Sequence, residues 1–103
     1  MRIIVPHHRS RQEVIQTIDK SLDELLQQSL PVKLVVQQRT WQGSTLTFNV
    51  AAKMGFLSSP VKGTIEVTDT DVIIDVDLGI FQSFVPAEKA QELIGTRVRG
   101  LLN

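Results

Sequence analysis

Apolar residues recur along this chain with two different periods. Between residues 10 and 29 they fall every three or four positions, at Val14, Ile15, Ile18, Leu22, Leu25 and Leu26. That spacing places one stripe on a helix. Gln12, Gln16, Asp19, Lys20, Asp23, Glu24 and Gln27 take the opposite face. Ser10 and Glu13 stand at the S-x-x-E spacing of a capping box, which predicts the helix start. Ser29-Leu30-Pro31 ends it. A second helix opens at Pro86, where a missing N–H costs little. Ala90, Leu93, Ile94, Val98, Leu101 and Leu102 form its apolar face, with Glu88 near the start and Arg97 and Arg99 near the end, as the helix dipole favours. Gly95 and Gly100 weaken this helix by ~1 kcal/mol each relative to alanine.

Elsewhere the period is two, the mark of half-buried strands. Ile3-Ile4-Val5, closed by Pro6, predicts a short edge strand. Val32 to Thr40 predicts a second, with Val32, Leu34 and Val36 on one face. Trp41-Gln42-Gly43 reads as a three-residue hairpin loop with glycine in the left-handed position. Leu46, Phe48, Val50, Ala52, Met54 and Phe56 then alternate with Thr45, Thr47, Asn49, Ala51, Lys53 and Gly55. Ser58-Ser59-Pro60 reads as a turn, and Val61 to Thr68 and Val72 to Leu78 as the last two strands.

Parity constrains how these strands pair. The inward positions are even in the strand 46–56, odd at Val61, Ile65 and Val67, and even again from Val72 to Leu78. Keeping these faces together requires hairpin loops of even length. The shortest solutions pair Phe56 with Val61 and Val67 with Val72. Lys62 then lies beside Asp77, Thr64 beside Asp75, and Gly63 between Met54 and Val76. A glycine there leaves room for a helix or ligand to approach the sheet. The order is β-α-β-β-β-β-α, an α+β fold in which a curved antiparallel sheet packs against two amphipathic helices, a reduced helix-grip-like arrangement.

Composition narrows the function more than the fold. The chain has 103 residues, a length that fits one domain spanning 1–103. Eleven basic and eleven acidic residues cancel, which argues against a general nucleic-acid or anionic-membrane binder. The absence of cysteine removes disulfides, thiol catalysis and most zinc sites. No apolar run reaches the ~18–20 residues of a membrane span. The N-terminal apolar stretch is too short for a signal peptide, which points to a cytoplasmic protein.

Catalytic and metal constellations are weak throughout. His7 and His8, next to Arg9 and Arg11, suggest a metal or anion site ahead of the first helix, but read more simply as a solvated connector. Asp69, Asp71, Asp75 and Asp77 are dense but lack the glycine and closing glutamate of a calcium loop, and nothing suggests the burial that would raise a carboxyl pKa for acid–base work. Gly43-Ser44-Thr45 is not a phosphate loop, and no serine sits in a nucleophile elbow. The residues therefore nominate no catalytic group, metal site or cofactor.

Two apolar features remain. Trp41 either folds over the core or stands exposed as a contact anchor. Phe56, Leu57, Ile80, Phe81 and Phe84 gather at the other end of the sheet, where they either close the core beneath the second helix or form a contact rim. Met54, Gly63 and Val76 are candidates for a pocket between the sheet and that helix.

Several runs resemble a known family. They are Arg2-Ile3-Ile4-Val5-Pro6-His7-His8-Arg9-Ser10, Trp41-Gln42-Gly43-Ser44-Thr45-Leu46-Thr47-Phe48, Ala52-Lys53-Met54-Gly55 with Lys62-Gly63-Thr64, and Ile94-Gly95-Thr96-Arg97-Val98-Arg99-Gly100-Leu101-Leu102. Together they are similar to the bacterial polyhydroxyalkanoic acid system family of small proteins, from end to end of the chain. The resemblance implies a place in polyhydroxyalkanoate synthesis or use, in some members at the surface of the storage granule, and brings no catalytic residue or cofactor with it. The expectation is a non-enzymatic accessory protein that contacts the granule or a granule-associated protein. The rival expectation is a small carrier or sensor of an acyl or other apolar ligand held between the sheet and the C-terminal helix.

Overall fold

The computed structural model describes residues 1–29, 33–79 and 86–102. Its elements run β1 (Arg2–Pro6), α1 (Arg11–Ser29), β2 (Lys33–Gln42), β3 (Thr45–Met54), β4 (Leu57–Val67), β5 (Asp71–Asp77) and α2 (Ala87–Leu102). The five strands form one antiparallel sheet in the order β1-β5-β4-β3-β2. This is the α+β arrangement that the two periods predict. The first strand closes the sheet against the last, so β1 and β2 are the two edges.

Helix α1 joins those edges. Its 19 residues span about 28 Å at ~1.5 Å per residue. Four inter-strand gaps of ~4.8 Å make about 19 Å, so α1 is long enough to cross the sheet obliquely. Ser10 caps it, its Oγ accepting from the Glu13 backbone N–H at 3.2 Å. The apolar stripe of Val14, Ile18, Leu22 and Leu25 is buried, and joins Ala90, Ile94, Val98 and Leu102 of α2 and the inward residues of all five strands in one core. Arg9 ties the two helices together at that end, its Nε donating to the carbonyl of Leu102 at 2.8 Å. A cation there also suits the negative end of the α2 dipole.

The β4–β5 register is as parity requires, with Val67 opposite Val72, Thr64 opposite Asp75 and Lys62 opposite Asp77. The β3–β4 register is not the expected one, and its loop is shorter, two residues where pairing Phe56 with Val61 would leave four. Met54 pairs with Leu57, and Phe48, not Met54, lies opposite Gly63. The turn falls on Gly55-Phe56, and Ser58-Ser59-Pro60 is strand. Pro60 invites the turn reading because proline is excluded from central strands. In the fold, β5 pairs β4 only as far as Lys62, so Pro60 has β3 on one side and no β5 partner on the other. It therefore occupies an edge.

Gly63 also acquires a different role. A Cβ at this position would lie 2.3 Å from the Cζ of Phe48 and 3.0 Å from the Asp75 carbonyl oxygen. The space that glycine opens is filled by the Phe48 ring, which is 1% exposed. Gly63 and Val76 line packed core at this point, and Met54 is at the far end of the hairpin.

Two further departures concern β2. The loop Trp41-Gln42-Gly43 is shorter than expected: Gln42 pairs with Thr45, leaving the two-residue turn Gly43-Ser44. A bulge between Val36 and Gln38 leaves Gln37 without a partner. It shifts the inward positions from even (Leu34, Val36) to odd (Arg39, Trp41). One extra residue exchanges the two faces of everything beyond it.

Candidate functional site

The two hairpin turns at opposite ends of β3 share a backbone form. Gly43 has φ 61° and Gly55 φ 63°, and the residue that follows each has negative φ. This is the pattern of a two-residue turn with glycine at its first central position. The second position is Ser44 in one turn and Phe56 in the other. Phe56 is 99% exposed, with Met54 (36%) and Leu57 (38%) beside it. Five large apolar side chains are exposed among the described residues, and Val35 joins these three toward the same end of the sheet, opposite Ala51. That grouping sets the tip apart from the scattered apolar exposure of an ordinary surface.

The expected rim is thus described in part. Phe56 and Leu57 lie at this tip; Ile80, Phe81 and Phe84 fall outside the described residues. The expected pocket of Met54, Gly63 and Val76 is not brought together, because the register separates Met54 from the other two.

Strand pairing adds two cations that the sequence reading did not nominate. Lys33 of β2 lies directly opposite Lys53 of β3, one residue before Met54. Both are exposed, on the sheet face away from the helices. Neither has an ion-pair partner among the described residues. No local signal marks this pair; the exposed turn beside it does have one in Gly55-Phe56, a glycine-first dipeptide that admits a two-residue turn, although Ser58-Ser59-Pro60 is the stronger punctuation.

Trp41 folds over the core. It is half-buried, packs against the core cluster, and donates its Nε1–H to Asp19 Oδ1 of α1 at 2.9 Å. Arg39 reaches the same residue, donating to the Asp19 carbonyl at 3.4 Å with its guanidinium 3.9 Å from the carboxylate. Asp19 therefore anchors the β2–β3 hairpin to the helix.

The basic segment ahead of α1 is only in part the solvated connector expected of it, since His8, Arg9 and Arg11 are exposed but His7 is not. His7 is 3% exposed. Its Nε2 lies 2.8 Å from the Thr68 carbonyl oxygen, and its Nδ1 accepts the Arg9 backbone N–H at 3.2 Å. Both ring nitrogens are thus engaged by the backbone, which leaves neither for a metal. Arg11 pairs with Asp69 at 3.1 Å. His7 and Arg11 together fasten the start of α1 to the β4–β5 turn.

The aspartates are likewise separated. Asp75 lies opposite Arg2 as well as Thr64, and Asp77 accepts the Gly79 backbone N–H at 3.0 Å. Among the described residues no group of three or more His, Asp or Glu side chains could hold a metal ion. No described helix is long and apolar enough to cross a membrane.

Among the described residues an enclosed apolar space is small and a larger groove is open to solvent. The space bounded by Leu26, Leu34, Phe48, Ile65, Val76 and Ile94 amounts to about 20 Å³. A groove of about 500 Å³ runs between α1 and α2, lined by Ser21, Glu24, Leu25, Leu93, Arg97 and Leu101 among others. It is a surface cleft of mixed polarity with no polar side chain buried in it.

The runs that resemble a family have structural work in this architecture: His7, Arg9 and Ser10 at the start of α1, Trp41 and Gly43 in the first hairpin, Phe48 against Gly63. No curated protein and no solved structure matches the chain. A family model does match it, over residues 1–101, and the chain belongs to that family, described as "Putative polyhydroxyalkanoic acid system protein (PHA_gran_rgn)".

Proposed function

We propose that this chain is a non-enzymatic accessory protein of polyhydroxyalkanoate metabolism that acts by contact with the storage granule or with a granule-associated protein. Family membership supplies the metabolic context. The observation that carries the contact reading is Phe56, wholly exposed at a turn whose geometry does not call for an aromatic residue. Large aromatic side chains that the fold leaves in water are the usual anchors of an interface.

The carrier reading fares worse. Small-molecule pockets have volumes of roughly 300 Å³ or more. The space enclosed between sheet and helices by the described residues is about 20 Å³, room for little beyond a single water molecule.

Fractionation of polymer-producing cells tests the contact reading. The protein is expected in the granule fraction, and Phe56→Ser is expected to shift it to the supernatant while its urea midpoint stays unchanged. Recovery of the unmodified protein in the supernatant alone, with granules present, overturns the reading.

A further inference from the structure

Three pairs of charged residues face each other directly across neighbouring strands of this sheet. Arg2 lies opposite Asp75 and Lys62 opposite Asp77. The third, Lys33 opposite Lys53, is like-charged. Like charges at directly opposed positions destabilise a sheet. Opposite signs are used in the other two pairs, so the architecture does not demand the lysines. The third strand at this level contributes Ser58, opposite Lys53, and no carboxylate. Both lysines are exposed, Lys53 next to Met54 along β3 but on the sheet face opposite the one that Met54 and Leu57 share.

The combination of an apolar tip with a like-charged lysine pair on its flank, without an ion-pair partner among the described residues, has a definite complement. A pocket on a folded protein would take up Phe56 but gives no reason for two neighbouring lysines on the sheet face. An uncharged polymer surface would take up the apolar residues and leave the lysines without a counter-charge. A surface with an apolar interior and anionic headgroups matches both. Phe56 and Leu57 enter at the acyl boundary, and the lysine stems extend along the apolar layer with their ammonium groups among the headgroups. The net charge of zero is no obstacle, since the attraction of a lipid surface acts on charges within about a Debye length of it.

We infer that the β3–β4 hairpin end is a peripheral lipid-docking tip, with Phe56 and Leu57 as the inserting residues and Lys33 and Lys53 as the pair that selects anionic phospholipid. The inference rests on the contact reading above and deepens it by naming the chemistry of the surface touched.

Sedimentation of the full chain with vesicles tests it. Binding is expected to vesicles of phosphatidylcholine mixed with phosphatidylglycerol, and to fall at least tenfold on phosphatidylcholine alone. Phe56→Ser should lose at least tenfold of the binding. Lys33→Gln with Lys53→Gln should remove the preference for the anionic mixture. Insertion is read separately by fluorescence. In a Trp41→Phe background, a tryptophan introduced as Phe56→Trp should shift to the blue with anionic vesicles, whereas Trp41 in the unmodified chain, at the other end of the sheet, should not shift. Failure of the unmodified chain to bind either vesicle, or unchanged binding by Phe56→Ser, overturns the inference. If vesicles are not bound but granules still carry the protein, the lipid inference fails and the contact reading stands. If vesicles are bound through Phe56 but granules never carry the protein, the contact reading fails and the tip remains a lipid-docking site.

Discussion

The hairpin that joins β2 to β3 and the one that joins β3 to β4 start from the same backbone solution and end in opposite circumstances. Both turn on two residues with glycine at φ near 61–63°. The first is tied down: Trp41, two residues before its turn, is half-buried and bonded to Asp19, and Arg39 holds the same aspartate. The second has no such tie among the described residues. Phe56 is fully exposed, Met54 and Leu57 are partly so, and the like-charged Lys33 and Lys53 are paired across the strands at the same end. A residue type that a turn does not need, and that water does not favour, is a better pointer to function than one the core explains. By that measure the aromatic residue that matters for contact is Phe56, and Trp41 is a structural residue.

The largest effect expected from this contrast is on stability. Trp41→Ala should cost about 2–3 kcal/mol in urea unfolding, below the range for a fully buried aromatic because Trp41 is only partly buried. Phe56→Ala should be neutral to within about 0.5 kcal/mol. Similar losses for the two would break the comparison.

The turns themselves should behave alike. Gly43→Ala and Gly55→Ala each force a side chain into the left-handed region, with open space around the new Cβ. Each should cost about 1–2 kcal/mol by equilibrium unfolding. Unequal costs would show that the shared geometry is not shared strain.

Asp19→Ala should cost about 0.5–1 kcal/mol, the lost bond to Trp41 being partly offset by alanine's helix propensity. Combined with Trp41→Phe the two losses should fall short of additive, because both remove the same bond. Simple additivity in that cycle would mean that the anchor contributes nothing.

The smallest energetic difference is local. Amide exchange should open the Lys53–Ser58 end of the second hairpin at lower free energy than the Trp41–Leu46 end of the first. Protection of equal strength at both ends would remove the distinction between a pinned and an unpinned hairpin.

Much of this architecture was legible residue by residue. Ser10 with Glu13 and the stripe from Val14 to Leu26 located α1, because caps and stripes are properties of neighbours in sequence. The candidate site was legible only in part. Phe56 and Leu57 stood out as apolar residues at one end of the sheet, but Lys33 and Lys53 did not, since they are twenty residues apart and meet only through the β2–β3 pairing. His7 read as solvated because nothing near it in sequence announces the Thr68 carbonyl that receives it.

The sequence by itself determined the elements, their order, and which face of each strand turns inward before the bulge at Gln37. These follow from local periodicity and from the rule that buried faces must stay together. The tertiary structure decided the pairings that periodicity leaves degenerate. Sliding β4 along β3 by an even number of residues keeps every side chain on its face, so the alternation is equally satisfied with Phe56 opposite Val61 or with Met54 opposite Leu57. What separates the two is a contact between residues fifteen apart, the Phe48 ring lying in the space that Gly63 leaves. That fit brings the turn to Gly55-Phe56 and leaves Phe56 in solvent.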